Sequence, residues 1–250
     1  MLESKVSIIV ATFNAGKTLR RALESVINQK NDNWECIIVD GMSSDDTLSI
    51  VKEFEEKDKR FRHISEKDKG IFDAFNKGYK LAHGEWIYYL GADDEVKKDA
   101  FDIDFKKYCS ADVIYGNIEI VFPNNGTRLV KPAQLQKIKY KMIANHQSVL
   151  MRRNVIERLG GFNIKYKICA DFDLTQRAYL SDCRFVYLDR CLGKFSYSGV
   201  SSHYSFMNNI DHYKICKRNK ANAFPLYFFL LVELRHFIGF LSKKYITKRI

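Results

Sequence analysis

The first candidates for chemistry in this 250-residue chain are carboxylates that directly follow apolar, β-prone runs. Asp40 comes straight after Ile37, Ile38 and Val39, and the pair Asp93-Asp94 comes just after residues 87–90. Asp171 and Asp173 form a third acidic group. Acids at the carboxyl ends of strands stand where an open α/β sheet normally takes its ligand. Two adjacent carboxylates repel, and burying them requires a cation, so a hard divalent ion joining Asp93 and Asp94 to a phosphate suits this pattern. For an isolated Asp-Asp the competing reading is a solvated turn with a helix-capping acid. No G-x-G-x-x-G follows the first strand and no G-x-x-x-x-G-K-S/T occurs, so the two commonest glycine-rich nucleotide motifs are absent.

The elements that must position these acids are legible in the hydrophobic pattern. Strands are expected at 6–11, 36–39, 61–64 and 86–90, alternating with segments whose apolar residues recur at helical spacing, such as Leu19, Ala22, Leu23, Val26 and Ile27. That alternation predicts helices on both faces of a mainly parallel sheet. Residues 43–46 offer a helix cap, and His83-Gly84 closes the helix marked by Phe72, Phe75, Asn76 and Tyr79. Beyond residue 95 the regularity stops. A hairpin is expected at 118–130, turning at 124–126, then a strand at 148–151, a short helix at 154–159, a longer helix at 171–180 and a last strand at 184–188. From His203 onward the chain reads as helical.

Composition sets the frame. At 46% hydrophobic with three prolines and 13 glycines, the chain is globular, and its length suffices to bury a core without disulfides or structural metal. Its six cysteines form no C-x-x-C pair, which disfavours zinc-ribbon and thioredoxin readings and fits isolated thiols in a reducing cytosol. The amino terminus lacks a signal-peptide pattern and no run of about 18 apolar residues occurs, so a cytoplasmic protein without a spanning helix is expected. The net charge of +11 is uneven: residues 1–130 hold 19 basic and 23 acidic side chains, residues 131–250 hold 22 and 7. A basic half suggests a polyanionic partner, whether nucleic acid, anionic lipid headgroups or a phosphorylated acceptor.

Five segments together go further. Residues 6–14, ending in Ala11-Thr12-Phe13-Asn14; 38–47, with Asp40-Gly41; 68–78, beginning Asp68-Lys69-Gly70; 84–94, ending in Gly91-Ala92-Asp93-Asp94; and Ala170-Asp171-Phe172-Asp173-Leu174 with Arg177 resemble the family-two glycosyltransferases in order and spacing. The resemblance covers about residues 5–200 and implies a GT-A fold, with a Rossmann-like, mostly parallel central sheet between helices. It further implies a glycosyltransferase domain over 1–203, divided into a nucleotide-sugar-binding half (1–95) and an acceptor-binding half (96–203), followed by a basic, apolar helical extension at 204–250. By this resemblance Thr12, Phe13 and Asn14 hold the base and ribose of the donor, Asp40 accepts a hydrogen bond from uracil, and Lys69 and Asp73 contact the nucleotide or donor sugar. Asp93 and Asp94 bind ribose and, through Mn2+ or Mg2+, the diphosphate, with Asp94 the first choice as direct ligand. Asp171 falls at the general base, whose carboxylate takes the proton from an attacking sugar hydroxyl. One displacement assisted by one base implies inversion at the anomeric carbon.

Departures from the family pattern matter. Gly91-Ala92 lacks an earlier Asp, and Ala170 stands where an acid often precedes the base, so metal binding leans on fewer carboxylates. His146 beside Gln147, or His203, is a candidate for a further ligand or an acceptor contact; a structural histidine is the competing reading. Asp173, two residues from Asp171, points elsewhere on a helix and reads as a solvated or structural first-turn acid, with an acceptor contact as its functional alternative. The Gln-x-x-Arg-Trp motif and membrane spans of processive synthases are absent, which implies one sugar per encounter.

The apolar segment 224–241 with basic flanks suggests a helix in the membrane interface, or else a core helix or dimer surface. Many relatives build bacterial surface polysaccharide on a polyprenyl-diphosphate carrier, whose charge suits the basic half. The expected partners are thus a UDP-sugar donor, a saccharide or polyprenyl-diphosphate-linked acceptor and the inner face of the cytoplasmic membrane, with no nucleic acid. A nucleotidyltransferase would carry a glycine-rich triphosphate loop after the first strand, where residues 12–18 hold only Gly16 and Lys17. A non-catalytic polyanion- or lipid-binding module would leave Asp40, Asp93, Asp94 and Asp171 without a reason.

Overall fold

The computed structural model describes residues 5–124, 126–197, 206–221 and 225–246, with side chains as far as residue 235. Its first half runs β1 (Val6–Thr12), α1 (Leu19–Ile27), β2 (Trp34–Asp40), α2 (Thr47–Lys57), β3 (Phe61–Ser65), α3 (Ile71–Leu81) and β4 (Trp86–Gly91). β1 and β2 are buried along their whole length, as strands covered on both faces must be. Alternation splits β1 between two cores: Ile9 and Ala11 face one, Ile8 and Val10 the other. The α1 stripe of Leu19, Ala22, Leu23 and Val26 fills the second core, and Phe72, Phe75 and Tyr79 of α3 fill the first. A Cβ on Gly78 would strike Ile9, so glycine at that position lets α3 lie close against β1.

The second half adds β5 (Glu95–Val96), β6 (Val113–Val121), β7 (Thr127–Val130), two short 3-10 turns (Leu135–Lys139 and His146–Ser148), β8 (Val149–Arg152), α4 (Arg153–Arg158), α5 (Ala170–Leu180), β9 (Phe185–Ser196), α6 (Phe206–Arg218) and α7 (Pro225–Ile246). The nine strands form one sheet in the order β3-β2-β1-β4-β8-β6-β9-β5, with β7 paired to β6. Pairing is parallel through β3-β2-β1-β4 and again between β6 and β9; β8 joins β4 to β6 with antiparallel pairing. This is the expected α/β architecture of GT-A type.

Register brings the site together. Thr12 lies opposite Asp40 and Ala11 opposite Gly91, so β1, β2 and β4 end level and deliver their following loops to one edge. One strand differs from the sequence expectation. β9 runs to Ser196 rather than stopping near 188, because its pairing with β6 continues through register shifts at Tyr115–Ile118. The cap of α2 comes from within the expected 43–46 segment: Asp45 accepts from the Thr47 N–H at 3.1 Å. The hairpin 118–130 is present as β6 and β7, although residue 125 of its turn lies outside the described residues. α6 shares a core with α5: Ile215 and Cys216 are buried among Phe172, Leu174 and Ala178, and the His212 ring stacks on Phe172 at 4.5 Å.

Candidate functional site

The loops after β1 and β2 are braced against each other. The Asn14 N–H donates to the Ser43 hydroxyl at 2.8 Å, the Asn14 side-chain oxygen accepts from the Ser44 N–H at 2.9 Å, and the Ala15 N–H donates to the Thr47 hydroxyl at 2.8 Å. Asn14 (φ 48°) and Met42 (φ 64°) adopt left-handed backbone, which side-chain-bearing residues rarely do, and both sit at the strand ends that face the candidate ligand. Thr12 is buried and its hydroxyl has no hydrogen-bond partner, whereas Phe13 is 64% exposed. Asp40 is fully buried and both its oxygens are engaged: one accepts from the Ser43 N–H and the Ser65 hydroxyl, the other from the Ser43 hydroxyl. Its carboxylate holds its own loop here, with three of its roughly four acceptor sites in use.

Over the Gly41 Cα gather the Asp68 carboxylate and the Phe13 ring. Asp68 thus lies beside Phe13, one of the residues expected to hold the base, a proximity that the motif Asp68-Lys69-Gly70 does not reveal in the sequence. The Lys69 side chain is exposed, while its N–H donates to the Asp73 carboxylate at 2.9 Å, so Asp73 caps the first turn of α3.

The acid pair is built differently. Asp94 is buried, and its oxygens accept from the Ser196 N–H at 2.9 Å and from the Gln147 side-chain amide at 2.5 Å. Burial above all, then the neighbouring Asp93 charge, pushes its pKa up to about 6, against the pull of Ser196, His146 and Gln147. Arg21 and the Ser196 hydroxyl both donate to the Asp93 carbonyl, at 2.8 and 2.5 Å. Oxygens of both carboxylates crowd the space over Gly91 where a Cβ would stand. Two carboxylates facing one glycine, one of them strained by burial, suit a cation that takes its remaining ligands from phosphate oxygens and water. Among the described residues no group of three or more His, Cys, Asp or Glu side chains converges for a metal. Ser196 and Arg21 carry no motif that marks them in the sequence.

Asp171 stands in the first turn of α5, with one oxygen accepting from the Phe172 N–H at 2.8 Å and the other 3.6 Å from His146 Nδ1. The Gln147 amide reaches Asp94 from the next residue. The turn His146–Ser148 therefore touches the acid pair and Asp171 at once, and both expected neighbours, His146 and Gln147, lie inside the site.

Asp173 does not. It is fully buried and bound by Arg177 Nε at 2.9 Å, by Arg218 and by the Asn219 amide at 3.2 Å, with nothing left for an acceptor. It is a structural acid that ties α5 to α6, because a buried carboxylate must be paired. His203 lies outside the described residues.

A mostly parallel sheet that carries the buried Asp94 and the half-buried Asp93 at its carboxyl edge, with Asp171 at a helix start joined to Asp94 through the turn His146–Ser148, suits an α/β enzyme with a polar ligand at that edge. The comparisons agree. The Glycosyl transferase family 2 profile matches residues 7–167, and the chain belongs to that family. It is 30% identical over 182 residues, 69% of each chain, to a PGL/p-HBAD biosynthesis glycosyltransferase of Mycobacterium tuberculosis, and 32% identical over 183 residues to the chondroitin synthase of Escherichia coli, covering 68% of this chain and 26% of that one. Among solved structures, residues 1–349 of S. aureus TarS in complex with UDP-GlcNAc align with a TM-score of 0.70 at 23% identity, over 84% of this chain and 64% of that one. The Pyrobaculum calidifontis mannosyltransferase PcManGT, in complex with GDP-Man and Mn2+, aligns with a TM-score of 0.64 at 16% identity, over 88% of this chain and 69% of that one. The protein is a glycosyltransferase.

Proposed function

We propose that this glycosyltransferase moves one sugar from a nucleoside-diphosphate sugar, UDP favoured, to a hydroxyl of a saccharide or polyprenyl-diphosphate-linked acceptor, with inversion at the anomeric carbon. The observation that carries this reading is the single turn, His146–Ser148, in contact with both Asp94 and Asp171. A diphosphate leaving group and a proton acceptor are the two things the reaction needs on opposite sides of one anomeric carbon.

Thr12, with its unpaired hydroxyl, and the exposed Phe13 line the nucleotide end, with Asn14 bracing their loop. Asp68 joins Asp40 there, beside Lys69 and Asp73. Asp93 and Asp94 hold Mn2+ or Mg2+, which when bound supplies positive charge to the departing diphosphate. Asp171 accepts the proton of the acceptor hydroxyl. The structural neighbours' complexes with UDP-GlcNAc and with GDP-Man and Mn2+ support a nucleotide-sugar donor and a divalent ion. No helix among the described residues is long and apolar enough to cross a membrane. We infer a cytoplasmic enzyme that works at the membrane surface, held by α7.

The test is a panel of UDP-, GDP- and dTDP-sugars with Mn2+, read by thermal shift and by release of the nucleoside diphosphate. One donor class should stabilise the fold and be turned over. Asp171→Asn should keep that stabilisation and lose turnover by roughly 10²–10⁴-fold, since an amide cannot take the proton. Absence of binding with every sugar nucleotide would refute the donor assignment.

A further inference from the structure

We propose that His146 is a positioning residue for Asp171, holding the carboxylate that takes the acceptor proton at a fixed place relative to the diphosphate site; this rests on the base role given to Asp171 above. The argument starts from the two ring nitrogens. Nδ1 faces Asp171 Oδ2 at 3.6 Å, a distance from which catalytic contacts tighten once substrate is bound. Nε2 is buried without a hydrogen-bond partner, and the ring meets the Phe75 ring at 6.0 Å. A proton on Nε2 would bury an unsatisfied N–H and turn a lone pair toward a carboxylate. The neutral ring is therefore expected to carry its proton on Nδ1, directed at Asp171 and within reach of a hydrogen bond once the contact shortens. Closed off from solvent, Nε2 is out of reach of an acceptor hydroxyl, so the ring serves the base and does not replace it.

The backbone around His146 explains why such a contact fixes a distance. The Gln147 carbonyl accepts from the buried Tyr88 hydroxyl of β4 at 2.5 Å, and Gly193 of β9 packs so closely on that carbonyl that a Cβ would lie 2.6 Å from it. The Ser148 N–H and hydroxyl both donate to the Asn145 carbonyl at 2.9 Å. Clamped between two strands, the turn offers Gln147 to Asp94 and His146 to Asp171 from consecutive residues. The other Asp171 oxygen is held by the Phe172 N–H at 2.8 Å, which leaves His146 to set the orientation of Oδ2.

Two measurements test this on the full chain. In protein labelled with 15N-histidine, at a pH where the rings are neutral, the signal deleted by His146→Asn should be that of an Nδ1–H tautomer and should move in Asp171→Asn. An Nε2–H tautomer would overturn the proposal, whatever the donor sugar is. Secondly, release of UDP from UDP-GlcNAc with Mn2+ should fall at least ~10-fold in His146→Ala, while the affinity for UDP stays within ~2-fold. His146→Asn, which keeps a donor near the Nδ1 position, should restore most of the rate; misplacement of a catalytic group by about 1 Å is enough for losses of this size. Full turnover in His146→Ala beside an inactive Asp171→Asn would sink this inference alone, and equal losses of turnover and UDP affinity would move His146 to the donor site. Full turnover in Asp171→Asn would remove the base reading and this inference with it.

Discussion

Burial is the main force on the Asp94 carboxyl, with the Asp93 charge second, and together they carry its pKa from 3.8 to about 6. A carboxyl whose folded value lies above its unfolded value is bound more readily by protons in the native state, so stability falls as pH rises from about 4 to 6. The shift corresponds to a penalty on the order of 3 kcal/mol at neutral pH. A divalent ion at Asp93 and Asp94 relieves that penalty and competes with the proton. Mn2+ is therefore expected to raise the melting temperature by several degrees at pH 7.5 and by much less at pH 5. Asp94→Asn should flatten the pH dependence and abolish the Mn2+ effect. Equal Mn2+ shifts at both pH values, measured by thermal denaturation, would separate the ion from this carboxylate.

Between elements, the contact with most consequence is the one Asp173 makes from α5 to α6. Its partners Arg218 and Asn219 lie 45 and 46 residues away in the chain, which is why the sequence shows only an acid near a helix start. Removing the carboxylate should be severe: Asp173→Ala leaves the largely buried Arg177 charge with only the Leu159 and Gly161 carbonyls as partners and no counter-charge, and should lower stability by about 3 kcal/mol in urea unfolding. Arg218 is 41% exposed at its side chain, and Arg218→Ala should lower stability by only ~1 kcal/mol. Comparable losses in both variants would contradict this division. The same contrast sets what was legible beforehand. β1, β2, β4 and the stripe of α1 were readable because burial on both faces or on one stripe writes its period into neighbouring residues. The acids at strand ends followed from those strands. The extension of β9, the Ser196 N–H on Asp94, Asp68 over Gly41 and His146 beside Asp171 depend on segments that meet only after folding, and no local pattern records them.

At the scale of the whole molecule, the acidic residues gather in the first 130 positions while the remainder is strongly basic, and the apolar surface is concentrated at the basic end. α7 presents two unlike faces. Inward, Phe228 stacks on Tyr140 at 4.4 Å, Phe229 meets Phe206 and Tyr213, and Glu233 accepts from the Asn209 amide at 2.5 Å. Outward, Leu226, Tyr227, Leu230, Leu231 and Leu234 are exposed at helical spacing, and Lys214, Lys217 and Lys220 are exposed on or just after α6. If α7 holds the enzyme at a membrane as proposed, an anionic bilayer would supply acyl chains for the leucines and headgroup charge for the lysines. Three leucines about half exposed represent roughly 3 kcal/mol of burial, so joint replacement of Leu226, Leu230 and Leu234 by Ser should weaken binding to vesicles containing phosphatidylglycerol by roughly 100-fold. The inner face is untouched, so the fold and the donor-induced thermal shift should persist. Pure phosphatidylcholine vesicles should bind the native protein more weakly, by about 1 kcal/mol for each lysine that reaches the surface. Undiminished vesicle binding by the triple variant would exclude this face. Loss of a dimer in the variant, with no vesicle binding by the native protein, would give the face to a second copy of the chain.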